Sequence, residues 1–120
     1  MSDVTVKHLE EMERNGGFLF AGKTLGVSAW GMNVVKMPPN YQDYPDHNHA
    51  KDGQEEVYVV LEGSAVLKAG EDDWELKPGM FARVGPEQKR KLVPGAEGAT
   101  ILALGGTPGK AYQLPDWIKG

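Results

Sequence analysis

A series of short apolar runs, each closed by glycine or proline, constrains this chain most strongly. The clearest run is EVYVVLE, residues 56–62, which is rich in β-branched and aromatic residues and ends at Gly63. Further strand-like runs follow at regular spacing, with turn residues between them, at residues 64–69, 74–77, 80–84, 89–93 and 100–104. The pattern predicts an all-β sandwich or barrel, because the long helical segments that a parallel α/β sheet needs are missing.

The first third of the chain contains a longer strand-like run at residues 25–37. Two-residue alternation would place Trp30, Met32 and Val34 on one face of this strand. The only helical pattern is short, at residues 7–14, and it predicts a helical turn leading into the first strand.

The length of 120 residues fits one domain with one core. We expect the barrel core at about residues 25–104 and a C-terminal arm at residues 105–120. The apolar aromatic residues of this arm predict that it packs, either on its own sandwich or on a neighbouring subunit.

Charge and composition exclude several classes of partner. The formal net charge of −4 disfavours nucleic acid and anionic membranes, which need a basic footprint. No stretch is long and apolar enough to span a bilayer, and the first ten residues lack the apolar core of a signal peptide. With no cysteine for disulfides or thiol catalysis, a cytoplasmic protein is the simplest expectation.

Two of the three histidines lie in one phrase, His47-Asn48-His49. In an extended segment residues i and i+2 point to the same side, so these imidazoles should aim at one spot. Imidazole suits divalent transition metals, and a nearby carboxylate would complete a three-ligand face. Either Glu55 or Glu56 could supply it, but neighbouring residues of a strand cannot both face inward.

The phrase HNHAKDGQEEVYVVLEG, residues 47–63, resembles the first motif of the cupin superfamily (the RmlC-like jelly rolls). That motif is His-x-His, a spacer, Glu, six residues and Gly, and counting back from Gly63 selects Glu56. The resemblance implies a jelly-roll barrel, or double-stranded β-helix, and a site of His47, His49 and Glu56 for one divalent metal: Zn, Fe, Mn or Ni. Alternation then turns Glu56, Tyr58 and Val60 inward.

The chain departs from the family pattern at two places. The spacer between His49 and Glu56 holds six residues, where three or four are usual. In the second motif the expected histidine falls at Arg90, which cannot ligate a metal. Arg90 could be a solvated member of the basic run 89–91, pair with a carboxylate of the ligand, or pair with Glu56 where the metal would lie.

Three functions are compatible with these residues, and they leave open whether the chain is an enzyme. The first is a small-molecule pocket with one metal, lined by the ligand-binding residues Arg90, Tyr58, Trp30 and Met32. The second is a non-enzymatic module that binds a carboxylate ligand without metal. The third is a vestigial pocket in an assembly protein; a homodimer is expected by resemblance to the family.

Overall fold

The computed structural model describes residues 2–119, with the side chains of residues 2–118. Within residues 2–119 the structure has seven strands, two short helices and one 3-10 turn. In chain order these are the 3-10 turn Leu9–Glu11, β1 Arg14–Asn15, β2 Phe18–Leu19, α1 Ala21–Leu25, β3 Gly31–Met37, β4 Glu55–Ala69, β5 Asp72–Leu76, β6 Phe81–Val84, β7 Arg90–Gly106 and α2 Asp116–Lys119. Among the described residues, neither helix has the length and apolar character that crossing a bilayer requires.

Antiparallel pairing joins all the strands in the order β1-β2-β3-β7-β4-β5, and β6 also pairs with β4. The long strands β4 and β7 pair along most of their length, with register shifts between Val60 and Ala65 of β4. The first half of β4 lies beside β6 and the second half beside β5. Two long bent strands that serve both layers make a jelly roll, so the predicted all-β fold is confirmed.

The interior is a cluster of apolar side chains from both layers. Tyr58 and Val60 of β4 lie in it, together with Val35, Leu67 and Ile101. The other face of β4 carries Leu61, which is 46% exposed. The predicted inward orientation of Tyr58 and Val60 is therefore confirmed, and beyond the register shifts the odd-numbered Leu67 faces the interior.

The first third of the chain differs from its prediction. The helical pattern at 7–14 forms only the 3-10 turn, which His8 and Glu11 close with reciprocal hydrogen bonds. The strand expected from residue 25 begins at Gly31, because the preceding segment forms α1 and Gly26 ends that helix with a φ of +82°. Helix α1 packs against β3 and was missed by the sequence analysis.

Candidate metal centre

The histidine segment is held against the start of β7 by backbone hydrogen bonds. His47 N–H donates to the Arg90 carbonyl and Arg90 N–H donates back to the His47 carbonyl, both at 2.9 Å. His49 N–H donates to the Pro86 carbonyl at 2.7 Å. Pairing keeps the segment extended, so both imidazoles point to the same side, towards Glu56 of β4.

The three side chains converge on one point. His47 Nε2 lies 3.6 Å and His49 Nε2 3.3 Å from Glu56 Oε1. One ligand atom from each residue lies within 4.8 Å of the others, and all three residues are partly buried. The structure therefore brings together the three residues that the sequence pattern selected as metal ligands.

The outer nitrogen of each imidazole is fixed by an acceptor. His47 Nδ1 lies 3.1 Å from the Pro45 carbonyl oxygen, and His49 Nδ1 lies 3.2 Å from Asp52 Oδ2. A carbonyl or carboxylate oxygen can only accept, so Nδ1 carries the proton in both rings. In a neutral ring Nε2 then turns a lone pair towards Glu56, which is also an acceptor. Acceptors that face each other from three sides fit a cation between them, either a ring proton or a metal ion.

The carboxylate of Glu56 is held in its ionised form. Burial alone would raise its pKa, but contacts from His47, His49 and Tyr58 outweigh burial and keep the pKa well below its usual range. The same contact with Glu56 raises the pKa of His49, since the carboxylate stabilises the charged imidazolium. Glu56 is therefore ionised beside the two imidazoles, and the same oxygen, Oε1, also accepts hydrogen bonds from Tyr58 and Arg90.

Arg90 supports Glu56 from inside the core. Its side chain is 0% exposed. Nη2 donates to Glu56 Oε1 at 3.0 Å, Nη1 to the Gln88 carbonyl at 2.7 Å and Nε to the Tyr58 hydroxyl at 3.4 Å. Of the three alternatives for Arg90, the structure has the pairing with Glu56; the solvated alternative is wrong.

A cavity of about 390 Å³ opens beside the three ligands. Its other walls come from β3, β7 and the C-terminal segment. The lining residues are Phe18, Gly31, Asn33, Val35, Tyr44, Pro45, His47, His49, Asp52, Gln54, Glu56, Ala103, Gly105, Tyr112, Pro115, Trp117 and Ile118. Larger clefts, of about 570, 490 and 420 Å³, lie elsewhere on the surface and include neither histidine.

The structure does not bring Trp30 and Met32 to this cavity. Trp30 precedes β3 and is 46% exposed, while Met32 packs with Val34 in a second apolar cluster beneath the N-terminal elements. The side chains of β3 alternate between its two faces as expected, but the odd-numbered residues, and not the even-numbered ones, face the cavity. Tyr58 and Arg90 lie behind Glu56 and are not among the lining residues.

The lining residues that were not selected from the sequence include Asn33, Gln54, Tyr112 and Trp117. Choosing the other face of β3 would have found Asn33. The aromatic residues of the C-terminal arm were noted as packing residues, and in the structure they pack on their own sandwich. Nothing in the local sequence marks Gln54, whose position follows from the longer spacer loop.

Comparison with known proteins identifies a family. Residues 33–104, more than half of the chain, match the family model described as a cupin domain. A sequence comparison with curated proteins gives no match.

Solved structures share the fold over most of this chain. A cupin protein from Bacteroides fragilis is 17% identical with a TM-score of 0.72, over 96% of this chain and 93% of that one. A sugar phosphate isomerase of the cupin superfamily from Silicibacter pomeroyi is 25% identical with a TM-score of 0.73, over 87% and 77%. The cupin domain of Cnp3 from Schizosaccharomyces pombe is 15% identical with a TM-score of 0.65, over 83% and 67%.

Proposed function

This chain belongs to the cupin family, and we propose that it binds one divalent metal ion through His47, His49 and Glu56 and uses it to bind a small organic ligand. The observation that carries the proposal is the arrangement of acceptors: both Nδ1 atoms are bonded outward, and both Nε2 atoms face Glu56 Oε1. Outward bonding of the second ring nitrogen is the usual support of a metal-binding histidine.

The distances fit a metal ion. Zinc lies about 2.0–2.2 Å from histidine nitrogen and carboxylate oxygen, so tetrahedral ligand atoms are roughly 3.3–3.6 Å apart. The two distances from Nε2 to Oε1, 3.3 and 3.6 Å, fall in this range. Two imidazoles and one carboxylate form a donor set of zinc and ferrous iron enzymes, which keep positions open for a ligand.

Each residue of the site has a defined task. Pro45 and Asp52 orient the two imidazoles, while Tyr58 and Arg90 fix the carboxylate of Glu56. A metal held there would act as a Lewis acid on an oxygen of the ligand. The Silicibacter pomeroyi protein is a sugar phosphate isomerase, and this likeness supports a small-molecule ligand at the corresponding end of the barrel.

Metal analysis of untagged protein tests the proposal. We expect close to one equivalent of a transition metal per chain after purification without chelator, and its loss in His47→Ala, His49→Ala and Glu56→Gln. His8→Ala and Glu55→Gln are matched controls, since they alter a histidine and a carboxylate outside the site, and both should keep the metal. Protein that is free of metal and takes up neither zinc nor ferrous iron on reconstitution would refute the proposal.

The position of Arg90 disfavours the alternative function, a carboxylate-binding module without metal. Such a module needs a cation that reaches the ligand, whereas the guanidinium of Arg90 is buried and bonded to Glu56, Gln88 and Tyr58. Thermal stabilisation by carboxylates that persists in chelator and disappears in Arg90→Ala would favour that alternative. The homodimer and the cytoplasmic location stay predictions; sedimentation of the full chain tests the first.

A further inference from the structure

The cavity wall opposite the histidines is built by the C-terminal arm, here residues 107–118. The ring of Trp117 packs edge-on against Phe18 and Phe20, with centroids 5.9 and 5.6 Å apart. Ile118 is 2% exposed, and its carbonyl accepts a hydrogen bond of 3.1 Å from Lys23 Nζ. These contacts attach the arm to the barrel, so its side chains are a fixed part of the cavity.

Two paired glycines make room for the arm. Gly31 at the start of β3 pairs with Gly105 near the end of β7. A Cβ atom on Gly31 would lie 2.9 Å from the ring of Tyr112, and one on Gly105 would collide with the side chain of Gln54. Because both positions are glycine, Tyr112 and Gln54 can lie directly over the ends of the two strands. The position of Tyr112 therefore depends on Gly31.

The two ends of the cavity differ in chemistry. The histidine end carries the carboxylates of Glu56 and Asp52, whereas the arm end presents the rings of Phe18, Tyr112 and Trp117. The amides of Asn33 and Gln54 lie among the lining residues as well. Within the described part of the chain, this lining includes no lysine or arginine. An anionic group that packs against these rings would lose part of its hydration, and the lining supplies no cationic side chain in return.

From this contrast we infer that Tyr112 and Trp117 determine specificity, by selecting a ligand whose end away from the metal is flat and uncharged. The inference rests on the proposed metal site, which would bind the other end of the ligand. Aromatic walls favour a planar apolar group through burial and ring stacking. A sugar phosphate, whose far end is a dianion, does not fit this cavity.

Three hydroxamates test the inference on zinc-loaded protein by calorimetry. Acetohydroxamate, benzohydroxamate and 4-carboxybenzohydroxamate share the metal-binding group and differ only at the far end. We expect benzohydroxamate to bind about tenfold more tightly than acetohydroxamate, because the phenyl ring buries apolar surface against the arm. The added carboxylate should cancel this gain, because it is desolvated without a partner.

Variants assign the preference to the arm. Tyr112→Ala and Trp117→Ala should lose the preference for benzohydroxamate and keep the affinity for acetohydroxamate, and Gly31→Ala should act like Tyr112→Ala by displacing the ring. Trp74→Ala is the matched control, since Trp74 lines a different cleft, and it should keep the preference.

The outcomes separate the two proposals. Failure to load either zinc or ferrous iron refutes the metal site and with it the inference. Zinc-loaded protein that binds acetohydroxamate without a preference for the phenyl ring, binds the carboxylated probe as tightly as benzohydroxamate, or binds no hydroxamate at all refutes the inference and leaves the metal site standing.

Discussion

At the scale of single residues, the ion pair between Glu56 and Arg90 connects the site to the core. Arg90 is fully buried, and among residues 2–118 Glu56 is the only carboxylate that pairs with it. A charge buried in this way is tolerated because its partner and its other hydrogen bonds replace the lost water. Removing one partner leaves the other charge unpaired, which costs much more than the pair contributes by itself.

A double-mutant cycle measures this pair. We expect Arg90→Met and Glu56→Gln each to lower the free energy of unfolding by about 3 kcal/mol. The double variant should lose less than the sum, because the second change removes a group that the first left unpaired. Urea denaturation of the metal-free protein provides the measurement.

Glu55 and Arg83 form the matched control for that cycle. They are an adjacent carboxylate and an arginine in direct contact, but both are exposed. The same substitutions there should cost less than about 1 kcal/mol, since water screens the pair. Equal costs at the two pairs would contradict the role given to burial.

From the raised pKa of the buried Tyr44 hydroxyl we expect the protein to lose stability at alkaline pH. Burial raises its pKa to about 12 from the ordinary value of 10.0. The pKa of Tyr44 is higher in the folded than in the unfolded protein. Between pH 10 and 12 the folded state therefore keeps a proton that the unfolded state releases. The contribution of Tyr44 is therefore complete below pH 10 and is lost as pH rises, at about 1.4 kcal/mol per pH unit.

Denaturation by urea at pH 9, 10 and 11 checks this slope. Tyr44→Phe should show a shallower fall in stability than the parent chain, whereas Tyr41→Phe, a change at the margin of the same loop, should leave the slope unchanged. The prediction is wrong if the parent and Tyr44→Phe lose stability equally between pH 10 and 11. The other alkaline titrations are common to all three proteins, except that Tyr44→Phe also changes the surroundings of Tyr58, whose hydroxyl contacts that of Tyr44.

At the scale of elements, the bend shared by β4 and β7 lets two strands serve both layers. Gly63 lies at this bend with a φ of +73°, between the two register shifts of β4. A Cβ atom there would collide with the carbonyl of Gly98 on β7, which also has a positive φ. The glycine is thus required by its backbone conformation and by the close approach of the two strands.

Gly63→Ala should therefore destabilise the fold by about 3 kcal/mol or more, since strain of the left-handed conformation adds to a clash with the backbone. Gly79→Ala is the control: its φ is +93°, but nothing lies within 4 Å of the added Cβ. That variant should lose only about 1 kcal/mol. A comparison of thermal midpoints separates the two contributions, and equal losses would show that the close approach does not matter.

The sequence was most informative where local pattern and tertiary position agree. Period-two alternation, together with the motif spacing to Gly63 that the resemblance to cupins supplied, predicted that His47, His49 and Glu56 lie together. The structure brings them together, because all three lie in extended segments whose faces follow from counting. The sequence prediction failed at α1, where five residues form a helix that packing on β3 stabilises. It also failed at Trp30, because alternation alone does not say which face of β3 is the inner one.

The burial of Arg90 shows a different limit of prediction from the sequence. Its place in a basic run predicts exposure as readily as pairing, and its partner Glu56 lies 34 residues earlier in the chain. The pairing of Arg90 with Ala69 of β4 and with His47 holds this side chain inward. Burial of a charge therefore depended on long-range strand order, which the local sequence does not encode.

At the scale of the whole molecule, the apolar side chains form two clusters on either side of β3. One fills the barrel, and the other joins Leu19, Ala21 and Val34 beneath the N-terminal elements. The C-terminal arm packs on Phe18 and Phe20 of the N-terminal segment. The C-terminal arm and residues 18–20 thus meet beside the cavity, and the sequence prediction of one domain requires that the arm and the barrel unfold together.

Ile118→Ala tests whether they do. This side chain is 2% exposed, so truncating it should lower the free energy of global unfolding by about 2–4 kcal/mol if the arm belongs to the same cooperative unit. Leu61→Ala, at a side chain that is 46% exposed, should cost less than about 1 kcal/mol. If the arm detached before the barrel unfolded, Ile118→Ala would leave the urea midpoint unchanged, because only a local opening would feel the lost contacts. Hydrogen exchange distinguishes the two cases, since a cooperative unit gives the amide of Ile118 the same opening free energy as the amides of β7.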